Sequence, residues 1–496
     1  MAKNLIKFAL STTMALSVFA TPKAQAAASL ERPPQFILLA FDGSYMNSTW
    51  QYLREYTQKR KAQAVDTRFT FFINPAYLLY SENSSYYTAP GMHRTAQGLV
   101  RNKGSAIGWG GNPREIEKRL GNMNGAFKEG HEIGSHAVGH WDGSTWSADD
   151  WNSEFKQFDA ILDNVFTLNH ITQFPLQFRN SIVGFRAPQL GISPGLYEEL
   201  PNFGIKYDTS KVAKNMDYWP EKSSRGTWNF PLARIPIPGT AKSYPTMDYN
   251  FCANDTLELL RKDPSLLQLV KVNPETGKTK KNAADCLSFV PAEQKAFIKN
   301  RMIKAYQGYF ENNYYGNRAP ISIGHHFSPW MDGAYFEAMI EIADQVCNKP
   351  EVKCVTNSEF MKFIESRTPT EIQNYRDGNF PKMPRMKSKP VARSLDIALS
   401  LENQDGILNA RLSGKDANRE DFKTAILLDS KVIGSDKADL QSALSNAREG
   451  SVVSAVVYNS HGDEMQSASY KVINGQIQQQ SVEDHMMEGH QDEADE

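Results

Sequence analysis

The chain has 496 residues, enough for two or three domains with a large core. Its 55 basic and 56 acidic residues almost cancel, which gives no reason to expect nucleic acid or an anionic membrane as partner. Beyond residue 26 nothing is apolar enough to span a bilayer.

Met1–Ala26 reads as a secretory signal. Lys3 and Lys7 make a basic start, Phe8–Ala20 is a short apolar run, and Ala24-Gln25-Ala26 is a small-x-small cleavage site. The mature protein is expected to begin near Ala27 and to be secreted or periplasmic. The four cysteines agree with export, with Cys252–Cys286 and Cys347–Cys354 as the local pairings expected among the three possible.

Gln35–Phe41 is a continuous apolar run, as expected of a strand buried on both faces. Asn47 or Ser48 is placed to cap a helix carrying Trp50, Leu53 and Tyr56. Arg68–Ile73 reads as a second strand. Asn112-Pro113 opens a helix with Ile116, Leu120, Met123 and Phe127 on one side, and Gly130 stops it. Ser147–Asp150 resembles a capping box ahead of an apolar stripe formed by Trp151, Phe155, Phe158, Leu162 and Val165. Ser193-Pro194 starts another helix, and Ile205–Asp208 is a strand after it. Strands alternating with helices imply parallel βαβ units, whose active sites lie past strand ends. Tyr80–Gly111 and Lys211–Ala283 depart from this alternation and read as loop-rich excursions. The pattern closes with a helix around Glu359–Ile364.

Arg376–Ala392 is rich in Pro, Lys and Met and reads as a linker. Ser394–Gln478 then alternates as an all-β domain, expected to be a sandwich, with Asn474-Gly475 as a hairpin signal. Glu483–Glu496 has seven acids and no Lys or Arg, and is expected to be a disordered tail.

Four stretches carry chemistry. Ala40-Phe41-Asp42-Gly43 ends the first strand. In Gly130–His140, His136 and His140 are four apart, a spacing that can bring two neutral imidazoles to one ion from a short helical turn. Phe185-Arg186-Ala187-Pro188 and the stretch Asn317–His326 follow. In this order the four resemble the motifs of the NodB-type polysaccharide deacetylases, nearest the chitin-deacetylase-like branch. The resemblance covers residues 33–370. It implies a distorted (β/α) barrel and removal of N-acetyl groups from an N-acetylglucosamine-containing polysaccharide. It further implies a divalent ion, most readily Zn2+, on His136 and His140. Asp42 would be the base held by Arg186, the Gln189 backbone N–H would face the oxyanion, and a late histidine would be the acid. Spacing from Asn317–Pro320 in the family points to His326. His325 shares a strand face with Ile321 and Ile323, a core or supporting position. Asp208 and Asp248 are candidates to orient catalytic side chains, with turn or cap roles as the alternative. His131 reads as a structural histidine.

One position departs from the family. Gly43 stands where a metal-ligand Asp is usual, and Ser44, Tyr45 and Asp142 are near enough in sequence to fill the gap. Gly43 therefore also supports an alternative reading: a glycan-binding protein on a catalytically impaired deacetylase fold.

Overall fold

A computed structural model of the chain describes residues 30–384 except 273–278, together with strands between 398 and 479 and residues 448, 450 and 451. The proposed signal sequence and tail, the proposed hairpin turn at Asn474-Gly475 and residues 385–392 of the proposed linker lie outside the described residues. Two compact units emerge. One lies within Met1–Leu257, Met302–Ser328 and Tyr335–Met383, the other within Glu258–Arg301, Pro329–Ala334 and Pro384–Glu496.

The elements up to the first long helix-rich half are β1 (Gln35–Asp42), α1 (Asn47–Ala62), β2 (Phe69–Ile73), the hairpin β3 (Met92–Thr95) and β4 (Gly98–Arg101), α2 (Pro113–Lys128), β5 (Glu132–Ser135) and α3 (Ala148–Asn169). Then come β6 (Gly184–Phe185), α4 (Pro194–Glu199), β7 (Tyr207–Asp208), β8 (Glu221–Lys222), β9 (Trp228–Asn229), β10 (Arg234–Pro236), β11 (Ser243–Pro245) and α5 (Asp248–Lys262). After them follow β12 (Val270–Val272), β13 (Thr279–Lys281), α6 (Ala292–Tyr314), β14 (Ile321–His326), α7 (Ala334–Val346), β15 (Val352–Cys354), α8 (Asn357–Glu365) and α9 (Pro369–Asp377).

The first unit is the distorted (β/α) barrel that the resemblance implied. Its sheet runs β14-β1-β2-β5-β6-β7-β9-β8, with β15 also paired to β1, and every pairing is parallel except β8 with β9. Past β9 the regular ladder gives way to isolated bridges, Val212 with Leu232 and Met247 with Gly324, the second of which reaches the β14 edge. Side chains alternate across a strand, so Asp42 shares a face with Phe36, Leu38 and Ala40. Those three belong to one core cluster with Phe72, Tyr207 and the α8 and α9 residues Phe360, Ile364 and Tyr375. The opposite face carries Phe41, whose ring lies 5.5–6.0 Å from those of Phe69, Phe71, Phe327 and Phe336.

Several local expectations hold. The Asn112 side chain accepts from the Glu115 N–H at 3.0 Å to cap α2, and Gly130 follows that helix with φ 95°. Ser147 and Asp150 form a full capping box on α3. Others are corrected. The residue capping α1 is Met46, without a side-chain cap; Asn47 lies inside the helix and donates to Glu115 Oε2 at 2.8 Å. The 211–283 stretch contains the fifteen-residue helix α5, whose N-terminal Asp248 proves important below. Arg376 is no linker residue: it lies in α9 and donates to the Pro220 carbonyl at 2.7 Å.

Cys347 and Cys354 are joined, and Cys252 and Cys286 are also disulfide-bonded. In the second unit, Ala398–Gln404 and Ile407–Ser413 (β16, β17) pair antiparallel. Lys423–Leu428, Lys431–Gly434, Val452–Tyr458, Glu464–Ile473 and Gln476–Gln479 (β18 to β22) form an antiparallel sheet in the order β19-β18-β20-β21-β22. Among the described residues no helix is long and apolar enough to cross a membrane.

Candidate active site

The site is built at the carboxyl ends of β1, β5, β6 and β14. Parallel pairing places Asp42 of β1 directly beside His326 of β14, with His325 beside Phe41. Neighbours in register project to the same side, so Asp42 and His326 face together while His325 faces the other way. His325 is fully buried, and its Nε2 lies 2.6 Å from the Tyr306 hydroxyl of α6. Burial, above all, pushes its pKa down to about 4. His326 keeps 19% side-chain exposure.

Asp42 is 1% exposed and accepts from Arg186 Nη1 at 2.8 Å. A buried carboxylate without such a partner would cost several kcal/mol, roughly 3–5 by the loss seen when a buried pair is broken. Arg186 is itself held: its Nε donates to Thr209 Oγ1 at 2.6 Å, and its guanidinium carbon lies 4.7 Å from the centre of the Phe72 ring. Gly324 makes the room, because a Cβ there would lie 2.7 Å from Arg186 Nη1. The Ala187 N–H donates to Ser210 Oγ at 2.7 Å, and Ser210 donates to Asp208. Asp208, which also accepts from the Tyr197 hydroxyl at 3.2 Å, thus supports the Arg-Ala-Pro turn through Ser210. Burial raises its pKa to about 6.

His136 and His140 do not come from a helical turn. They sit on an irregular loop after β5, in which Ala137 and His140 have φ of 54° and 58°. Their rings lie 5.0 Å apart. The His136 N–H donates to the Ile73 carbonyl at 2.9 Å, and Asn74 donates to the carbonyls of His136 and Ala137. From α3, Glu154 accepts from Val138 and Gly139 N–H at 2.7 and 3.1 Å and from the Tyr87 hydroxyl at 2.8 Å. The signal for Glu154 was present in the sequence: it stands three residues after Trp151 and four before Phe158, a carboxylate inside an apolar stripe. Thr209, Ser210, Gly324 and Tyr306 left no comparable mark.

His136 Nδ1 lies 2.7 Å from the Arg186 carbonyl, which can only accept, so the proton is on Nδ1. Nε2 is buried and has no hydrogen-bond partner. Burial, reinforced by neighbouring positive groups, pushes the pKa values of both histidines down to about 3. A neutral ring, anchored through Nδ1 with Nε2 bare, is the form that binds a metal ion. The residues therefore fit a divalent ion with nitrogen ligands. The set is short: among the described residues no three His, Cys, Asp or Glu side chains are grouped to hold one. Gly43 has φ 75°, and the nearest atom to a Cβ built there is Tyr77 Cε2 at 4.0 Å, so a Cβ has room there. Of the residues near in sequence, Ser44 is buried with its hydroxyl unpartnered, Asp142 accepts from the Ser144 N–H at 2.9 Å, and Tyr45 is 43% exposed.

Asp248, at the start of α5, grips His326 twice. Its carboxylate accepts from the His326 backbone N–H at 2.9 Å and lies 2.6 Å from Nδ1. Burial disfavours the charged imidazole, but the charges of Asp248 and Asp42 outweigh it and raise the His326 pKa. The Asp248 pKa is lowered: burial opposes this, and the charges of His326 and His325 prevail. Gln189 has φ 54° and donates its side chain to the His140 carbonyl at 3.1 Å, tying the Arg-Ala-Pro turn to the histidine loop. His131 accepts from the Phe69 N–H at 3.0 Å and contacts Thr57 Oγ1 at 3.1 Å, a structural position.

No family model matches the chain, and no curated protein sequence does. Solved structures do. A Mycobacterium smegmatis protein assigned as a polysaccharide deacetylase is 13% identical with a TM-score of 0.36, over 68% of this chain and 94% of that one. PdaA of Bacillus subtilis, a family 4 carbohydrate esterase, is 13% identical with a TM-score of 0.30, over 69% and 86%. The peptidoglycan deacetylase PdaC of Bacillus subtilis is 12% identical with a TM-score of 0.31, over 69% and 96%.

Proposed function

We propose that this protein is an exported, metal-dependent deacetylase of the NodB type that removes N-acetyl groups from an N-acetylglucosamine-containing polysaccharide. The observation that carries the reading is the meeting of Asp42, paired to Arg186, with His326, paired to Asp248, in one register beside a neutral histidine pair. Amide hydrolysis needs an activated water, a stabilised oxyanion and a proton for the amine. A bound divalent ion, Zn2+ by the chemistry of two imidazoles, would lower the pKa of water and polarise the acetyl carbonyl. Asp42 takes the proton of the attacking water, and Arg186 keeps Asp42 aimed. The Gln189 backbone N–H faces the developing oxyanion. His326, held in one tautomer by Asp248, delivers a proton to the leaving amine. The two disulfides support work outside the cytoplasm.

The test is acetate release from chitin, peptidoglycan and exopolysaccharide by purified protein of measured metal content. Metal-dependent release from at least one polymer is expected, and none from any would refute the deacetylase reading. Gly43 favours a second reading, a glycan-binding protein on an impaired catalytic fold, because losing a carboxylate removes both a ligand and a negative charge. Tight polymer binding with neither metal nor acetate release would establish it.

A further inference from the structure

Three residues past Asp42 stands an aromatic ring to which the mechanism above gives no task. Tyr45 is 43% exposed, yet two neighbours, Arg119 and Tyr77, lie against its ring. Behind it lies Arg119, 1% exposed, with its guanidinium carbon 4.8 Å from the centre of the Tyr45 ring. Arg119 Nε donates to the Tyr45 carbonyl at 2.7 Å, and Nη1 donates to the carbonyls of Tyr77 and Gly110 at 2.6 and 3.0 Å. Among the described residues no carboxylate forms an ion pair with it, and burial pushes its pKa down to about 10. Spending a buried cation on three loop carbonyls is costly and fixes three surface segments against one another.

The Tyr77 ring flanks Tyr45 at 5.1 Å and 55°. Gly110 lets its loop close on this pair, since a Cβ there would lie 2.3 Å from the Tyr77 carbonyl oxygen. Tyr77 in turn borders the reaction site, its Cε2 lying 4.0 Å from where a Cβ on Gly43 would be. An aromatic ring is thus backed, flanked and left open at the edge of the site. Holding a ring rigid before binding removes the ordering cost that a mobile side chain carries. The C–H face of a pyranose is the natural cover for such a surface, with hydroxyls left at the rim for water or polar groups.

We propose that Tyr45 is a sugar-stacking platform that binds the unit next to the one being deacetylated, so that the protein prefers oligomers to single N-acetyl sugars. The proposal rests on the glycan reading above. It is tested in the full-length chain carrying Asp42→Asn, which binds without turnover, by calorimetry with N-acetylglucosamine and its tetramer. The affinity gained from monomer to tetramer is expected to fall about tenfold on adding Tyr45→Ala. It should be kept within about twofold by Tyr45→Phe, which retains the ring face. Melting temperature reports folding for each variant, and Tyr45→Phe keeps the test informative if Tyr45→Ala unfolds. Tetramer binding indifferent to Tyr45→Ala, or weakened as much by Tyr45→Phe, would overturn the platform and leave the glycan reading standing. A wild-type chain that neither binds the tetramer nor releases acetate from any polymer would instead overturn the glycan reading, and the platform with it.

Discussion

The two halves of the candidate site are finished to different degrees. On the acid–base side every charge has its partner: Asp42 with Arg186, His326 with Asp248. On the histidine side, His136 Nε2 is buried without a partner, and Gly43 stands where the family resemblance expects a carboxylate ligand. The difference bears on the proposal: the charged pairs of the acid–base side are complete within the protein, whereas the bare His136 nitrogen is placed to meet a ligand. Buried polar atoms are normally paired, so a bare nitrogen on a neutral imidazole calls for an explanation, and a ligand supplies one.

The largest expected effect breaks the complete side. Asp42→Asn should abolish acetate release while leaving metal content unchanged, because an amide cannot take a proton; assay and elemental analysis of one preparation check both. Activity within about tenfold of wild type would remove Asp42 as base, since general acid–base groups contribute roughly 10²–10⁴-fold.

The next compares the two adjacent histidines. His326→Ala should cost about a hundredfold in kcat. His325→Ala should lower the melting temperature more than the rate, since His325 is packed against Tyr306 and faces away from Asp42. The reverse pattern would exchange their roles. Asp248→Asn should lower the His326 pKa, which Asp248 now raises. A general acid works only when protonated, so activity would then fail at a lower pH on the alkaline side. In the wild type the same coupling favours folding below the unfolded histidine pKa and is lost as pH rises through the raised folded value.

A smaller effect falls on the frame of the incomplete side. Glu154→Ala strands two backbone N–H groups of the histidine loop, at roughly 1–3 kcal/mol each, and should lower the melting temperature and loosen metal binding. Glu154→Gln, which retains an acceptor, should lose less. Equal losses would mean that the charge, not the hydrogen bonds, holds the loop.

How much of this was legible in the sequence follows from what each feature depends on. Continuous apolar runs and capping signals located β1, α2 and α3, because these are local. The alternation of side chains along β14 already separated His325 from His326. The conformation of the histidine loop was not legible: spacing of four suits a helical turn, but packing against Ile73, Asn74 and Glu154 imposes an irregular one. Nor was the partnership of Asp248 with His326, which joins positions 78 residues apart through a helix hidden in an irregular stretch. Thr209 and Ser210 were similarly silent, since a hydroxyl that supports an arginine or a turn has no pattern of its own.

The most direct test of the account compares wild type with Gly43→Asp. The position has room, and aspartate tolerates the left-handed backbone there better than most residues do. Metal affinity and acetate release should be measured on the same samples. The account predicts that wild type binds zinc through His136 and His140, that Gly43→Asp binds it more tightly, and that acetate release rises with it. Metal in neither protein, with glycan binding intact in both, would contradict it.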